Sequence, residues 1–122
     1  MNNIFVYGTL KRGLGNNRFL DGQEFLGVAV TSPDFKLFDG GAFPAMVEFP
    51  DAGVKVVGEL WRVSDSCKRR VDGLEGINYG MYNRIPVTLD SHPDLEVETY
   101  VMPEAPNGWE DCGTSWTRKR TW

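Results

Sequence analysis

The chain has 122 residues, 41% of them hydrophobic and 25% charged, which is the make-up of one water-soluble domain with a single modest core. A formal net charge of −4 and an isoelectric point near 4.9 argue against nucleic acid or an anionic membrane as partner. Two cysteines, Cys67 and Cys112, make no disulfide framework, and no apolar run approaches the length of a membrane span.

Along the chain, Ile4 to Tyr7 is β-branched and aromatic without alternation, so it reads as a strand buried on both faces. Its shortness, and the glycine turn that ends it, make it no signal peptide, and a reducing cytoplasm is the expected compartment. A glycine-rich loop follows from Gly8 to Gly15, then a short helical turn from Asn16 to Leu20 with Asn16 or Asn17 as cap. Phe25 to Thr31, Phe35 to Phe38 and Ala45 to Phe49 read as strands bounded by Ser-Pro-Asp, Asp-Gly-Gly and proline turns. Asp51-Ala52-Gly53 reads as a hairpin turn into a long strand from Val54 to Val63.

Ser64 is placed to cap the one well-patterned helix, with Asp65 in its first turn. That helix is expected to run to Leu74 or Glu75 and to stop at Gly76 in the left-handed conformation. Tyr82 to Leu89 and Leu95 to Met102 read as two more strands. The expectation is an α+β fold: a small, mainly antiparallel β-barrel with one principal helix and short helical turns. Residues 1–122 read as one domain, with an irregular C-terminal arm from about 103 that packs through Trp109, Trp116 and Trp122. The clusters Lys68-Arg69-Arg70 and Arg118-Lys119-Arg120 read as the wet side of a helix and part of a mixed-charge tail.

Glu75 breaks local rules. A carboxylate in the last turn of a helix faces the negative end of the macrodipole. It also lies four residues after Val71, on or beside the face that Cys67, Val71 and Leu74 turn to the core. A carboxyl in that setting has a raised pKa, which suits a general acid/base near neutral pH. The competing reading is a frayed helix end with a solvated Glu. The glycine loop is the second candidate, because glycine lets ligand atoms approach backbone N–H groups that hold carboxylates or a developing oxyanion. A plain turn explains the same glycines. Gly13-Leu14-Gly15-Asn16-Asn17-Arg18 lacks the third glycine of a dinucleotide fingerprint and the Gly-Lys-Ser/Thr of a phosphate loop. Tyr79, Tyr82 and Arg84 follow Glu75, and Tyr hydroxyls or Arg can hold a substrate carboxylate, though tyrosine in a strand is usually packing and Arg84 can simply pair with a surface acid. The single histidine, His92, sits beside a proline in a turn, so neither a metal site nor a Ser-His-Asp triad is expected.

Four segments together resemble the gamma-glutamylcyclotransferase-like family: Phe5-Val6-Tyr7-Gly8-Thr9-Leu10-Lys11-Arg12-Gly13, Gly58-Glu59-Leu60-Trp61, Asp72-Gly73-Leu74-Glu75-Gly76 and Tyr82-Asn83-Arg84. The resemblance spans roughly residues 3 to 102. It implies a small β-barrel with flanking helices and an enzyme that releases 5-oxoproline from gamma-glutamyl compounds. By the same resemblance Tyr7, Gly8, Thr9 and Leu10 belong to the loop that binds the glutamyl moiety, and Glu75 is the single acid/base. Tyr82 is a further candidate donor to the substrate. Thr9-Leu10 is similar to the branch containing gamma-glutamylamine cyclotransferase, which acts on gamma-glutamyl-lysine isopeptide fragments. The implied partner is a small-molecule gamma-glutamyl substrate, with no cofactor and no metal. Two other functions fit the same residues: a non-catalytic module that keeps the pocket, and a carboxylate-based hydrolase or acyltransferase on gamma-glutamyl compounds. The leaving amine, the oligomeric state and the roles of Tyr79, Arg84 and Tyr100 are not legible in the sequence.

Overall fold

A computed structural model describes residues 1–117; the Arg118-Lys119-Arg120 cluster and Trp122 lie outside the described residues. The strands are β1 (Asn2–Val6), β2 (Glu24–Val30), β3 (Phe35–Asp39), β4 (Pro44–Glu48), β5 (Val57–Val63), β6 (Asn83–Val87), β7 (Val97–Val101) and β8 (Glu110–Gly113). One α-helix, α1 (Asp65–Leu74), follows β5, and single 3-10 turns lie at Asn17–Leu20 and Ile77–Tyr79. The α+β reading is correct.

The closed barrel is not. The strands form two open sheets, a five-stranded one in the order β2-β5-β1-β7-β6 and a three-stranded one in the order β4-β3-β8. Pairing is antiparallel except between β1 and β7, which run parallel. Closure fails at the expected hairpin. β5 starts at Val57 rather than Val54, and Val54 makes only an isolated bridge to Phe35. The chain therefore leaves β4 and joins the other sheet instead of turning back beside it. Single hydrogen bonds cross between the sheets, such as Met102 N–H to the Met46 carbonyl at 3.0 Å.

β1 is buried on both sides, as its composition demands. Ile4 and Val6 pack in one apolar cluster with Cys67 and Val71 of α1. Phe5 and Tyr7, on the opposite face, pack with Leu37 and Met46 of the smaller sheet. Alternation along the strand thus puts the helix on one side and a second sheet on the other. Burying side chains of this size is worth about 1.5–3 kcal/mol each, which makes β1 the spine of the fold.

α1 starts where expected. The Ser64 side chain accepts from the Cys67 N–H at 3.1 Å, and Asp65 occupies the first turn. Gly76 ends it with φ 65°. Asn16 precedes the first 3-10 turn but makes no side-chain cap there. Past Met102, where the sequence shows no period, the chain still adds β8 along β3. Trp116 is buried there, with its indole N–H donating to Asp39 at 2.9 Å.

Candidate active site

Two segments meet at a cavity of about 360 Å³. Tyr7 to Leu10 lines one side, Glu75 and Tyr82 line another, and Phe43 and Pro44 contribute a third. Six of the sequence candidates, Tyr7, Gly8, Thr9, Leu10, Glu75 and Tyr82, line it together.

Glu75 is the residue that caps the end of α1. Its N–H donates to the Val71 carbonyl at 2.9 Å, so it is held in the last turn. The next residues fold back tightly, with the N–H groups of Tyr79 and Met81 both donating to the Gly76 carbonyl. Gly76 and Gly80 carry the left-handed angles that this return requires. Among the described residues, no hydrogen bond or ion pair is made by the Glu75 carboxyl. Burial pushes its pKa up to about 7. Desolvation without a compensating partner is the physical cause: the charged form loses water and gains nothing in return.

Three tyrosines surround this carboxyl, and all three hydroxyls are already committed. Tyr7 donates to the Tyr100 carbonyl at 2.6 Å and accepts from the Met46 N–H at 3.2 Å. Tyr82 donates to the Pro44 carbonyl at 2.7 Å. Tyr100, which also lines the cavity, donates to Asp72 at 2.6 Å. Burial raises each hydroxyl pKa above its ordinary value, and the Glu75 charge adds to it, so these phenols stay protonated.

The loop leaving β1 is folded by its own polar groups. The Lys11 N–H donates to the Gly8 carbonyl at 3.1 Å. Asn16 donates to the Thr9 hydroxyl at 2.8 Å, and Asn17 to the Leu10 carbonyl at 2.9 Å. Among the described residues, the N–H groups of Gly8, Thr9 and Leu10 donate to no protein acceptor. Gly8 is glycine because of close approach rather than backbone angle: a Cβ there would sit 2.8 Å from the Pro44 ring.

Other candidates fall elsewhere. Arg84 pairs with Asp72 and, at 3.0 Å, with Glu98, behind the cavity rather than in it. Tyr79 is 92% exposed and does not line the cavity. His92 contacts Ser91 in its turn. Among the described residues, no group of three or more His, Cys, Asp or Glu gathers as a metal site. Phe43, Pro44 and Tyr100 were not predicted as walls. Only tertiary pairing brings β4 and β7 to the loop, and no local pattern encodes it.

The family model for gamma-glutamyl cyclotransferase, AIG2-like, matches residues 4–118. The chain belongs to that family. The family match runs past Met102 and so takes in β8 and Trp116. A curated relative from Vibrio cholerae is 36% identical over 74 residues, covering 61% of this chain and 62% of its own length. The gamma-glutamylaminecyclotransferase of Bos taurus is 34% identical over 116 residues, 87% of this chain and 68% of that protein. Among solved structures, the chain is similar to an AIG2-like protein from Mus musculus, with a TM-score of 0.75 and 30% identity over 87% of this chain and 80% of that one.

Proposed function

We propose that this chain is a gamma-glutamyl cyclotransferase that cleaves a small gamma-glutamyl amide to 5-oxoproline and a free amine. The observation that carries the reading is that one cavity holds both a carboxyl of pKa about 7 and a row of backbone N–H groups, neither with a hydrogen-bond partner among the described residues. No Lys or Arg among the described residues lines that cavity, so the substrate carboxylate falls to the N–H groups of Gly8, Thr9 and Leu10.

The substrate brings its own nucleophile. Its α-amine nitrogen attacks the γ-carbonyl carbon, forming the lactam C–N bond and a tetrahedral oxyanion. Glu75, as carboxylate, takes the proton that the α-ammonium must lose. It then returns a proton to the departing nitrogen as the original amide C–N bond breaks. The ring nitrogen gives up two protons in all, one before attack and one on becoming a lactam N–H; the second departs with the expelled amine as its ammonium, so the carboxyl ends as it began, and a pKa near 7 suits both halves. Ring closure is intramolecular, so the cavity's contribution is to hold the glutamyl chain folded. Tyr82 holds the Pro44 wall against Gly8, its proton being given to the Pro44 carbonyl. The similarity of Bos taurus gamma-glutamylaminecyclotransferase supports gamma-glutamyl amines as the first substrates to try. The free state of both cysteines supports a cytoplasmic setting.

The test is incubation with a panel of gamma-glutamyl amines, gamma-glutamyl dipeptides and glutathione, with product analysis. Release of 5-oxoproline is expected. Free glutamate instead would identify a hydrolase, and binding without turnover a non-catalytic module.

A further inference from the structure

Gly58-Glu59-Leu60-Trp61 lies on β5, and nothing in the reaction above uses it. Yet Glu59 is a carboxylate only 7% exposed. It stands directly opposite Val6, the last residue of β1 before the loop. Gly58 beside it is forced by contact, since a Cβ there would lie 2.4 Å from the Val6 carbonyl oxygen. β5 is therefore pressed against β1 at the point where the chain departs into the cavity wall.

The Glu59 carboxylate collects three donors. The Arg12 backbone N–H reaches Oε1 at 2.9 Å, and Arg12 Nε reaches Oε2 at 3.2 Å. The Trp61 indole N–H, on the same face of β5, donates to Oε1 at 3.2 Å. The Arg12 guanidinium meanwhile lies 3.7 Å over the Phe25 ring of β2. The far end of the loop is thus tied down to the five-stranded sheet, two residues after Leu10. A buried carboxylate is costly unless its oxygens are hydrogen-bonded, and here it is satisfied by a backbone group of the loop itself.

We propose that Glu59 is a positioning residue for substrate binding: it anchors the Arg12 backbone so that the N–H groups of Gly8, Thr9 and Leu10 are held ready for the glutamyl carboxylate. This rests on reading the cavity as a gamma-glutamyl site. Without the anchor the loop must be ordered by the substrate, and that cost falls on binding rather than on the chemical step. Glu75 sits on a different element, so proton transfer is not touched.

The experiment compares wild type, Glu59→Ala and Arg12→Ala. For Glu59→Ala we expect KM to rise about tenfold or more, the loss of a buried charge-assisted hydrogen bond, with kcat within about threefold of wild type. The pH at which kcat falls on acidification should not move. Arg12→Ala keeps the backbone bond to Oε1 and should raise KM less. A Glu59→Ala variant with unchanged KM, or with its loss in kcat, overturns the proposal, as does an Arg12→Ala variant impaired as much. Should Glu59→Ala not fold, Glu59→Asp keeps the charge, shortens the reach by one methylene, and reads the same split. Amide exchange on the wild-type protein needs no turnover. The Arg12 N–H should be protected, and those of Gly8, Thr9 and Leu10 should exchange fast; a fast-exchanging Arg12 amide overturns the anchor. If wild type turns over no gamma-glutamyl compound, the proposed function fails while the exchange result still decides the anchor.

Discussion

The loop from Tyr7 to Arg12 and the last turn of α1 face one cavity but are held in opposite ways. In the loop, polar side chains do the fixing: Asn16 and Asn17 from the same stretch of chain, and Glu59 from β5, bind its hydroxyl, carbonyl and N–H groups. Its spare N–H groups meet no protein acceptor among the described residues and line the cavity wall. At the helix end the backbone is fixed and the side chain is left alone. The Glu75 N–H is bonded to Val71, while the carboxyl has no partner among the described residues and sits where burial raises its pKa to about 7. One side of the site stores geometry and the other stores a proton affinity. A neighbouring acid makes the contrast plain. Asp72, one turn earlier on α1, is paired with Arg84 and accepts from Tyr100. Had Glu75 been given the same partners, its carboxyl would stay ionised and be useless as an acid.

The largest test of this contrast is Glu75→Gln. It keeps shape and removes the proton carrier, so turnover should fall by about 10²–10⁴ with the fold intact. A variant that keeps more than about a tenth of wild-type turnover on the best substrate sinks the assignment. In wild type, kcat/KM should fall on acidification through about pH 7, because the base must start as carboxylate. The next largest effect is expected from Gly8→Val. The added Cβ meets the Pro44 ring, which cannot retreat freely because Tyr82 holds the Pro44 carbonyl. Activity should drop by more than about tenfold, well beyond the loss from the volume-conserving Leu10→Met, with thermal melts reporting how much of either loss is stability. Equal losses in the two variants would mean that the loop backbone is not the binding element.

Turnover should also survive exhaustive chelation with EDTA, since nucleophile, electrophile and leaving group all belong to the substrate. Loss on chelation, restored by a divalent ion, would overturn the mechanism drawn here.

How much of this was legible in the sequence depends on range. Ser64, Gly76 and the Cys67–Val71 spacing are local signals, and α1 forms where they say. The two-sided burial of β1 follows from its unbroken apolar run. Glu75 was visible as a violation of helix-end chemistry, and its neighbours in space were not. The barrel reading failed because Val54 to Val63 looks like one strand. Its first residues in fact cross between sheets, and period-2 patterning does not say which sheet a strand joins. β8 was missed because it is only four residues long and none of them is buried. Pro44 and Tyr100 reached the site through long-range pairing that a single sequence does not display.

The smallest effect is on stability, and its sign is the opposite of what replacing a buried residue usually gives. The ordinary value for the Glu75 carboxyl is 4.5, and in the folded protein it is about 7. Between those values the folded state binds more proton than the unfolded state, so stability falls as pH rises through that window. Below about pH 4.5 the contribution is fully present, and above about pH 7 it is gone. Glutamine at this position stays neutral at every pH. Glu75→Gln should therefore match wild type near pH 4.5 and exceed it at pH 8, by on the order of 1–3 kcal/mol. Denaturant unfolding of both proteins at the two pH values measures it. A variant that loses turnover and gains stability only at the higher pH shows that the carboxyl is kept in the cavity for its proton chemistry. A variant less stable than wild type at pH 8 would mean that Glu75 is a satisfied structural acid and that the contrast between the two sides of the site is false.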